Sequence, residues 1–207
     1  LMDRIAEKIG IDANEAIELA NTHPRVNIHR PGAGVGGPCL TKDPYLLMSV
    51  GKKVFGVNLI QIARNINDYM PIHTIKLIEK AISDNNLANP KISILGVAYK
   101  GGVNDTRKSP AEIIIKELLR KKHNVVVYDP YAMDTFGAKR ASCLEDAIEN
   151  SDILVIVTDH PEFKELNLSV IKNLMRNPIV IDGRRVINPN EAIENGIQYY
   201  GIGFGKK

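Results

Sequence analysis

Apolar positions in the first 86 residues recur at helical spacing, whereas from Lys91 onward short β-branched runs alternate with helical patterns. Leu1, Ile5 and Ile9 stand four residues apart, and Gly10 ends the helix that they predict. A second short helix is predicted over residues 14–20. Asp43-Pro44 offers a third start, with Asp43 as cap and Pro44 at the first helical position, where a missing N–H costs nothing; that helix stops at Gly51. Residues 57–68 read as helix, with Leu59, Ile62, Ile66 and Met70 on one stripe. Pro71 then restarts a helix whose Ile72, Ile75, Ile78 and Ile82 point inward. These amphipathic stripes exceed what so small a piece can bury, which predicts a helical dimer interface; packing on a domain outside this chain is the alternative.

The second part reads as strands over residues 91–97, 124–128, 153–157, 179–182 and 198–200. Helices are predicted over 110–122 and 143–150 and between 161 and 174. Such alternation predicts an α/β protein, in which a helical dimerisation module (1–86) precedes a Rossmann-like parallel sheet with helices on both faces (87–207). Ser109-Pro110-Ala111-Glu112 spells a capping box with proline at its first position. Ligands of such sheets bind beyond the carboxyl ends of the strands, which singles out residues 98–108, 129–131, 158–160 and 182–185.

The chain has 207 residues, of which 44% are hydrophobic and 25% charged, enough for one moderate domain and a smaller one. A net charge of +3 is too weak for a protein that binds through phosphate charge, so nucleic acid is not a predicted partner. No apolar run approaches the ~18–20 residues that cross a bilayer, and no basic start precedes an apolar stretch as in a signal peptide. A membrane partner is therefore not predicted, and the cytoplasm is. Cys39, Cys143 and five scattered histidines show neither a zinc spacing nor a disulfide framework. No metal is predicted, and reduced cysteines are favoured over a bond between the two. Helical patterning already running at Leu1 suggests a fragment.

The segment Arg30-Pro-Gly-Ala-Gly-Val-Gly-Gly-Pro-Cys39-Leu-Thr-Lys-Asp43 is the most unusual. Gly32, Gly34 and Gly37 spell a dinucleotide fingerprint, but no strand precedes it, Pro38 follows at once, and Val57 and Asn58 occupy the region where an acid belongs. What remains is a glycine loop that can bring backbone close to a ligand, with a thiol at its far end. Cys39 is then either a small buried hydrophobe or a nucleophile; the glycines, Lys42 and Asp43 favour the second. Cys143, at an ordinary helix start, reads as structural. Lys100, Arg107 and the amides near Ser109 form a candidate anion site, and Arg184-Arg185 leaves another strand end toward the same side.

These segments, in this order, resemble the UDP-glucose/GDP-mannose dehydrogenase family. The carrying residues are Gly34-Val-Gly-Gly-Pro-Cys39 with Asp43, Ala63-Arg64 with Asn67-Asp68 and Pro71, Leu95-Gly-Val-Ala-Tyr-Lys100 with Asp105-Thr-Arg107 and Ser109-Pro110, and Asp182-Gly-Arg184. They span essentially the whole chain. Residues 23–28 are most similar to the branch of the family that acts on UDP-N-acetyl-D-mannosamine. UDP-glucose, UDP-N-acetylglucosamine and GDP-mannose are the alternative substrates, and a non-catalytic sugar-nucleotide-binding scaffold is the alternative of another class.

The resemblance implies oxidation of a sugar C6 alcohol to a carboxylate in two hydride transfers to NAD. Cys39 would attack the intermediate aldehyde, and the adduct would become a thioester that water hydrolyses with help from Asp43. Arg30, Tyr99, Lys100 and Arg184 would hold the UDP-sugar, and Gly36 would let the loop approach it. Arg25 would reach the ligand of a neighbouring subunit, and Arg107 would lean toward the NAD pyrophosphate. Ala33 stands where the family usually has a second proline, and Pro38 where many members have His or Ser. The amino-terminal NAD-binding domain of the family is not in this sequence, so the chain alone is expected to be inactive.

Overall fold

The computed structural model describes residues 1–51 and 58–206; residue 57, where the fourth predicted helix begins, lies outside them. Six parallel strands form one sheet: β1 (Lys91–Leu95), β2 (Asn124–Tyr128), β3 (Lys139–Arg140), β4 (Ile153–Ile156), β5 (Ile179–Asp182) and β6 (Gln198–Gly201). Their spatial order is β3-β2-β1-β4-β5-β6, with Ile92 of β1 level with Val125 of β2 and Ile153 of β4. β4 and β5 are buried at every residue because helices cover both faces, which is why these strands read as unbroken apolar runs. The connections change direction between β1 and β4, and that reversal opens a crevice at their carboxyl ends.

The helices are α1 (Met2–Ile9), α2 (Ala13–Asn21), α3 (Asp43–Gly51), α4 (Asn58–Asp84), α5 (Pro110–Arg120), α6 (Leu144–Ile148), α7 (Pro161–Lys164), α8 (Leu168–Leu174) and α9 (Pro189–Glu194). Ile92, Ile94, Val125 and Val155 share one core with Ile114 and Ile115 of α5 and with Ile75 and Ile78 of α4. The other face packs Leu95, Leu154 and Ile156 against Ile148, Phe163 and Ile171. Among the described residues no helix is long and apolar enough to cross a membrane.

Several elements differ from the sequence reading. Pro71 does not restart a helix; it lies buried inside the single helix α4. It cannot donate to the Asn67 carbonyl, and Gly34 packs against that carbonyl and the proline ring, so the notch receives the glycine loop. Ile75 and Ile78 are buried as predicted and Ile82 partly so, but Ile72 faces out, and Pro71, Thr74 and Ala81 complete the buried face. Asp43 is the first residue of α3 and not its cap, because the amides of Lys42 and Asp43 already donate to the Cys39 carbonyl at 3.0 and 2.8 Å. Ser109 does cap α5, accepting from the Ala111 amide at 3.2 Å, but Glu112 pairs with Lys116 and leaves the box half made. The helix predicted from residue 143 covers only Leu144–Ile148, with the Cys143 sulfur accepting from the Asp146 amide. β3 and α9 were not predicted.

Arg185 also departs from the reading. Its guanidinium turns away from Arg184 and grips Asp12 in two bonds, Nη1 to Oδ1 at 3.0 Å and Nη2 to Oδ2 at 2.7 Å. The pair is buried and ties the start of α2 to the exit of β5. Beside it, Glu7 of α1 accepts from the Gly203 amide at 2.7 Å and meets His73 Nε2 of α4, so the helical half and the last strand are joined directly.

Candidate active site

The glycine loop crosses the carboxyl ends of the strands and touches three walls. At its start the Ala33 amide donates to the Gly183 carbonyl beyond β5, at 2.8 Å, and Gly32 lies against the Arg184 side chain. In its middle, the Asn67 side chain of α4 accepts from the Val35 amide at 2.8 Å and donates to the Val35 carbonyl at 3.1 Å. At its end the Gly37 amide donates to the Arg107 carbonyl at 3.1 Å, in the segment that follows β1. A Cβ on Gly36 would stand 2.4 Å from the Lys108 carbonyl oxygen and 3.0 Å from Tyr99 Cβ, so only glycine fits this approach.

Cys39 follows, in a turn whose Gly37, Cys39 and Leu40 carbonyls are engaged. Thr41 Oγ1 donates to the Gly37 carbonyl at 2.7 Å, and Arg64 Nη1 donates to the Leu40 carbonyl at 3.0 Å. The thiol is free and exposed, as is that of Cys143. Arg107 forks onto Asp105, and that hydrogen-bonded carboxylate is the main reason its guanidinium pKa is raised; Tyr99 and Cys39 add smaller contributions of the same sign. Pro38, Thr41, Lys42, Arg107, Lys108 and Phe136 border an open cleft of about 660 Å³ here.

The segment after β1 is shaped by a buried carboxylate. Asp129, just beyond β2, accepts through Oδ2 from the amides of Val97 (2.7 Å) and Ala98 (3.1 Å) and from His160 Nε2 (3.0 Å). Its Oδ1 accepts from the amides of Tyr131 (2.9 Å) and Ala132 (2.8 Å). Burial alone would raise its pKa, but His160 and these amides outweigh burial and hold it far below the usual carboxylate range. The other ring nitrogen of His160 accepts from the Gly102 amide at 3.1 Å. Donation at Nε2 and acceptance at Nδ1 describe one neutral tautomer. Loops after β1, β2 and β4 thus converge on two side chains.

Of the residues singled out from sequence, Cys39, Asp43, Gly36, Tyr99 and Arg107 lie around the end of the glycine loop. Arg30 and Arg184 line a second, smaller cleft at its start, where Arg184 pairs with Asp159 at 3.1 Å and Arg30 with Glu18 at 2.7 Å. For Asp159 burial is the largest influence and opposes ionisation, but the Arg184 charge together with hydrogen bonds from Arg184 and from backbone amides outweighs it and lowers the pKa. Lys100 is exposed on the segment after β1, and Arg25 is exposed on the segment after α2, outside both clefts. Arg185 does not join the anion site, for the reason given above. Sequence reasoning missed Asp129 and His160, whose only signals were their places at strand ends, and took Arg64 and Asn67 only as part of a resemblance.

The strand order is that of dinucleotide-binding sheets, and Asp129 stands where such a sheet offers an acid to a ribose. Both of its oxygens are already occupied, and Gly96 is filled from within, since a Cβ there would lie 2.3 Å from Thr158 Cβ. These residues do not fit NAD at this crevice. Among the described residues no cluster of three or more His, Cys, Asp or Glu side chains could hold a metal ion.

Residues 1–69 match the model of the UDP-glucose/GDP-mannose dehydrogenase family, central domain, and residues 93–189 match that of the same family's UDP binding domain. A UDP-N-acetyl-D-mannosamine dehydrogenase of Pyrococcus horikoshii is 46% identical over 203 residues, which are 97% of this chain and 46% of that protein. One of Methanocaldococcus jannaschii is 41% identical over 206 residues, 98% of this chain and 46% of that protein. The solved structure of the Pyrococcus horikoshii dehydrogenase superposes with a TM-score of 0.88 at 45% identity, covering 100% of this chain and 47% of that one. The NDP-N-acetyl-D-galactosaminuronic acid dehydrogenase of Methanosarcina mazei Go1 gives 0.87 at 30% identity, covering 98% and 47%. The chain thus spans about half the length of the relatives it matches. Two models of one family together span the helical half and most of the sheet, and a relative 46% identical covers 97% of the chain: the chain belongs to the UDP-glucose/GDP-mannose dehydrogenase family.

Proposed function

We propose that this chain is the central and carboxyl-terminal portion of an NAD-dependent UDP-N-acetyl-D-mannosamine 6-dehydrogenase of the cytoplasm. In this reading residues 1–86 form the helical dimerisation module and residues 87–207 the UDP-sugar-binding domain. The names of the relatives support the substrate. The observation that carries the chemistry is the exposed Cys39 thiol at the end of a glycine loop held between α4 and the segment after β1.

Cys39 adds to the sugar C6 aldehyde: the C–S bond forms, and the carbonyl electron pair moves to oxygen, which takes a proton. Once that adduct is oxidised to a thioester, water attacks the carbonyl carbon, Asp43 takes the proton of that water, and the thiolate leaves as the acid is released. Arg30, Tyr99, Lys100 and Arg184 hold the nucleotide sugar, Gly36 admits it to the loop, and Arg25 reaches the site of a second subunit. Arg107 would lean toward the pyrophosphate of NAD, which would be bound mainly by a further domain of the parent protein and would supply the hydride acceptor, so the chain alone would be inactive.

A full-length protein containing this chain decides the matter. Acid production from UDP-N-acetyl-D-mannosamine should exceed that from UDP-glucose, UDP-N-acetylglucosamine and GDP-mannose. Cys39→Ser should stop acid production while UDP binding persists; normal acid production in that variant refutes the covalent role. The homodimer in this reading rests on exposed apolar side chains of α3 and α4, among them Leu46, Leu47, Val50, Leu59 and Ile62. Sedimentation should give a dimer at micromolar concentration, and a monomer refutes it.

A further inference from the structure

The turn that carries Cys39 has little apolar anchorage. Cys39 is exposed, and Leu40 leaves 59% of its surface to solvent. Its tie to α4 is polar instead. Arg64, nine-tenths buried, donates through Nη1 to the Leu40 carbonyl at 3.0 Å and pairs through Nη2 with Asp68 one turn along the helix. Asp68 in turn accepts from the Tyr45 hydroxyl of α3 at 3.2 Å, so the same network reaches the helix that follows the thiol. Asn67, on the same face, holds Val35 in the middle of the glycine loop by two bonds. The stretch from Gly36 to Cys39 is therefore gripped on either side by side chains three residues apart on one helix, with the Cys39 thiol exposed between them.

The choice of residue points the same way. Arg64 Nε is buried with no hydrogen-bond partner, an expensive feature that a shorter or apolar side chain would avoid. A guanidinium is the side chain that can fork onto a backbone carbonyl and a carboxylate at once from a fixed plane, which a lysine ammonium cannot reproduce.

We infer that Arg64 is a positioning residue for the Cys39 thiol, acting through the Leu40 carbonyl, with Asn67 securing Val35 on the other side of Gly36 and Gly37. This rests on the covalent role proposed for Cys39, because a placed thiol matters only if it attacks. Arg64 does not touch the reacting atoms; releasing the turn misplaces sulfur relative to a bound aldehyde, and a displacement of about 1 Å can cost roughly a hundredfold in rate.

The test is Arg64→Lys in the full-length enzyme, with Arg64→Ala assayed with and without added guanidinium. In Arg64→Lys, kcat should fall about ten- to a hundredfold with KM within about threefold of wild type, the split expected when placement and not binding is lost. Added guanidinium should restore part of the rate in Arg64→Ala. Amide exchange supplies the structural readout: the Lys42 and Asp43 amides, bonded to the Cys39 carbonyl, should lose protection while β1 and β4 keep theirs. If Arg64→Ala does not fold, Asn67→Ala takes its place and should free the Val35 amide with the same split in kcat and KM. Unchanged loop exchange in Arg64→Lys, or a released loop with unchanged kcat, overturns the inference. A wild-type enzyme without turnover overturns the covalent reading itself and is distinguished by the intact loop.

Discussion

Replacing Asp129 by Asn keeps the shape of the side chain and removes its charge and one of its two acceptors. The two oxygens accept five N–H bonds, three on one and two on the other, at 2.7–3.1 Å. Whichever way the amide is turned, its NH2 group faces at least two donors with nothing to offer them. Hydrogen bonds to a charged acceptor are worth about 1.5–3 kcal/mol each, so losing two removes roughly 3–6 kcal/mol. Relief from keeping a charge at a site only 1% exposed offsets part of this, which leaves a net cost of about 3 kcal/mol. For a chain of this length that is a fall in Tm of roughly 6–12 °C, measurable by calorimetry and by urea unfolding. The sign of the pH dependence follows from the depressed pKa. The carboxylate contributes fully above the unfolded value of about 3.9, and its contribution is lost as pH falls below that toward the folded value, so the gap between wild type and Asp129→Asn should narrow below about pH 4. A variant within about 1 kcal/mol of wild type at pH 7, or a gap that widens on acidification, would refute the account of this carboxylate as the anchor of three loops.

Gly36→Ala forces a methyl to 2.4 Å from the Lys108 carbonyl oxygen, and overpacking against backbone should cost about 1–3 kcal/mol; an unchanged Tm would show that the loop yields freely. Arg185→Met leaves Asp12 buried and unpaired and should cost about 3–5 kcal/mol in urea unfolding, whereas Asp12→Asn combined with it should cost less than the sum of the two singles. Simple additivity would mean that the pair is not coupled. His160→Phe keeps a ring against Tyr131 but loses the bonds to Asp129 and Gly102; the Gly102 amide should then exchange faster, and retained protection there would count against the histidine as a loop anchor.

Much of the fold could be read from local pattern. The apolar runs over residues 125–127 and 179–181 marked β2 and β5, because the middle of a strand buried on both faces carries no polar position to interrupt it. Ser109 and Pro110 marked the start of α5 because a cap is a contact between near neighbours. β3 is two residues long and carries no periodicity, and α9 occupies one turn and a half behind Asn188, too little for a stripe. Pro71 misled for a different reason: a proline ends a helix unless something fills the gap it leaves, and here Gly34, from the distant loop, does so. Arg185 misled because its left-handed backbone, φ 54°, is invisible in the letters Arg184-Arg185, and that conformation sends the second side chain to Asp12.

The sequence by itself determined the class of sheet, the glycine loop and the thiol at its end, since each depends on residue type and spacing within a few positions. Which groups surround that thiol was decided only by the tertiary structure. Arg64 meets Leu40 across 24 positions and Asn67 meets Val35 across 32 because the glycine loop lies along α4, and His160 meets Asp129 across 31 because the sheet brings distant loops to one edge. No periodicity encodes such pairings. They follow from how α4 lies on α5 and from where β1 and β4 release the chain.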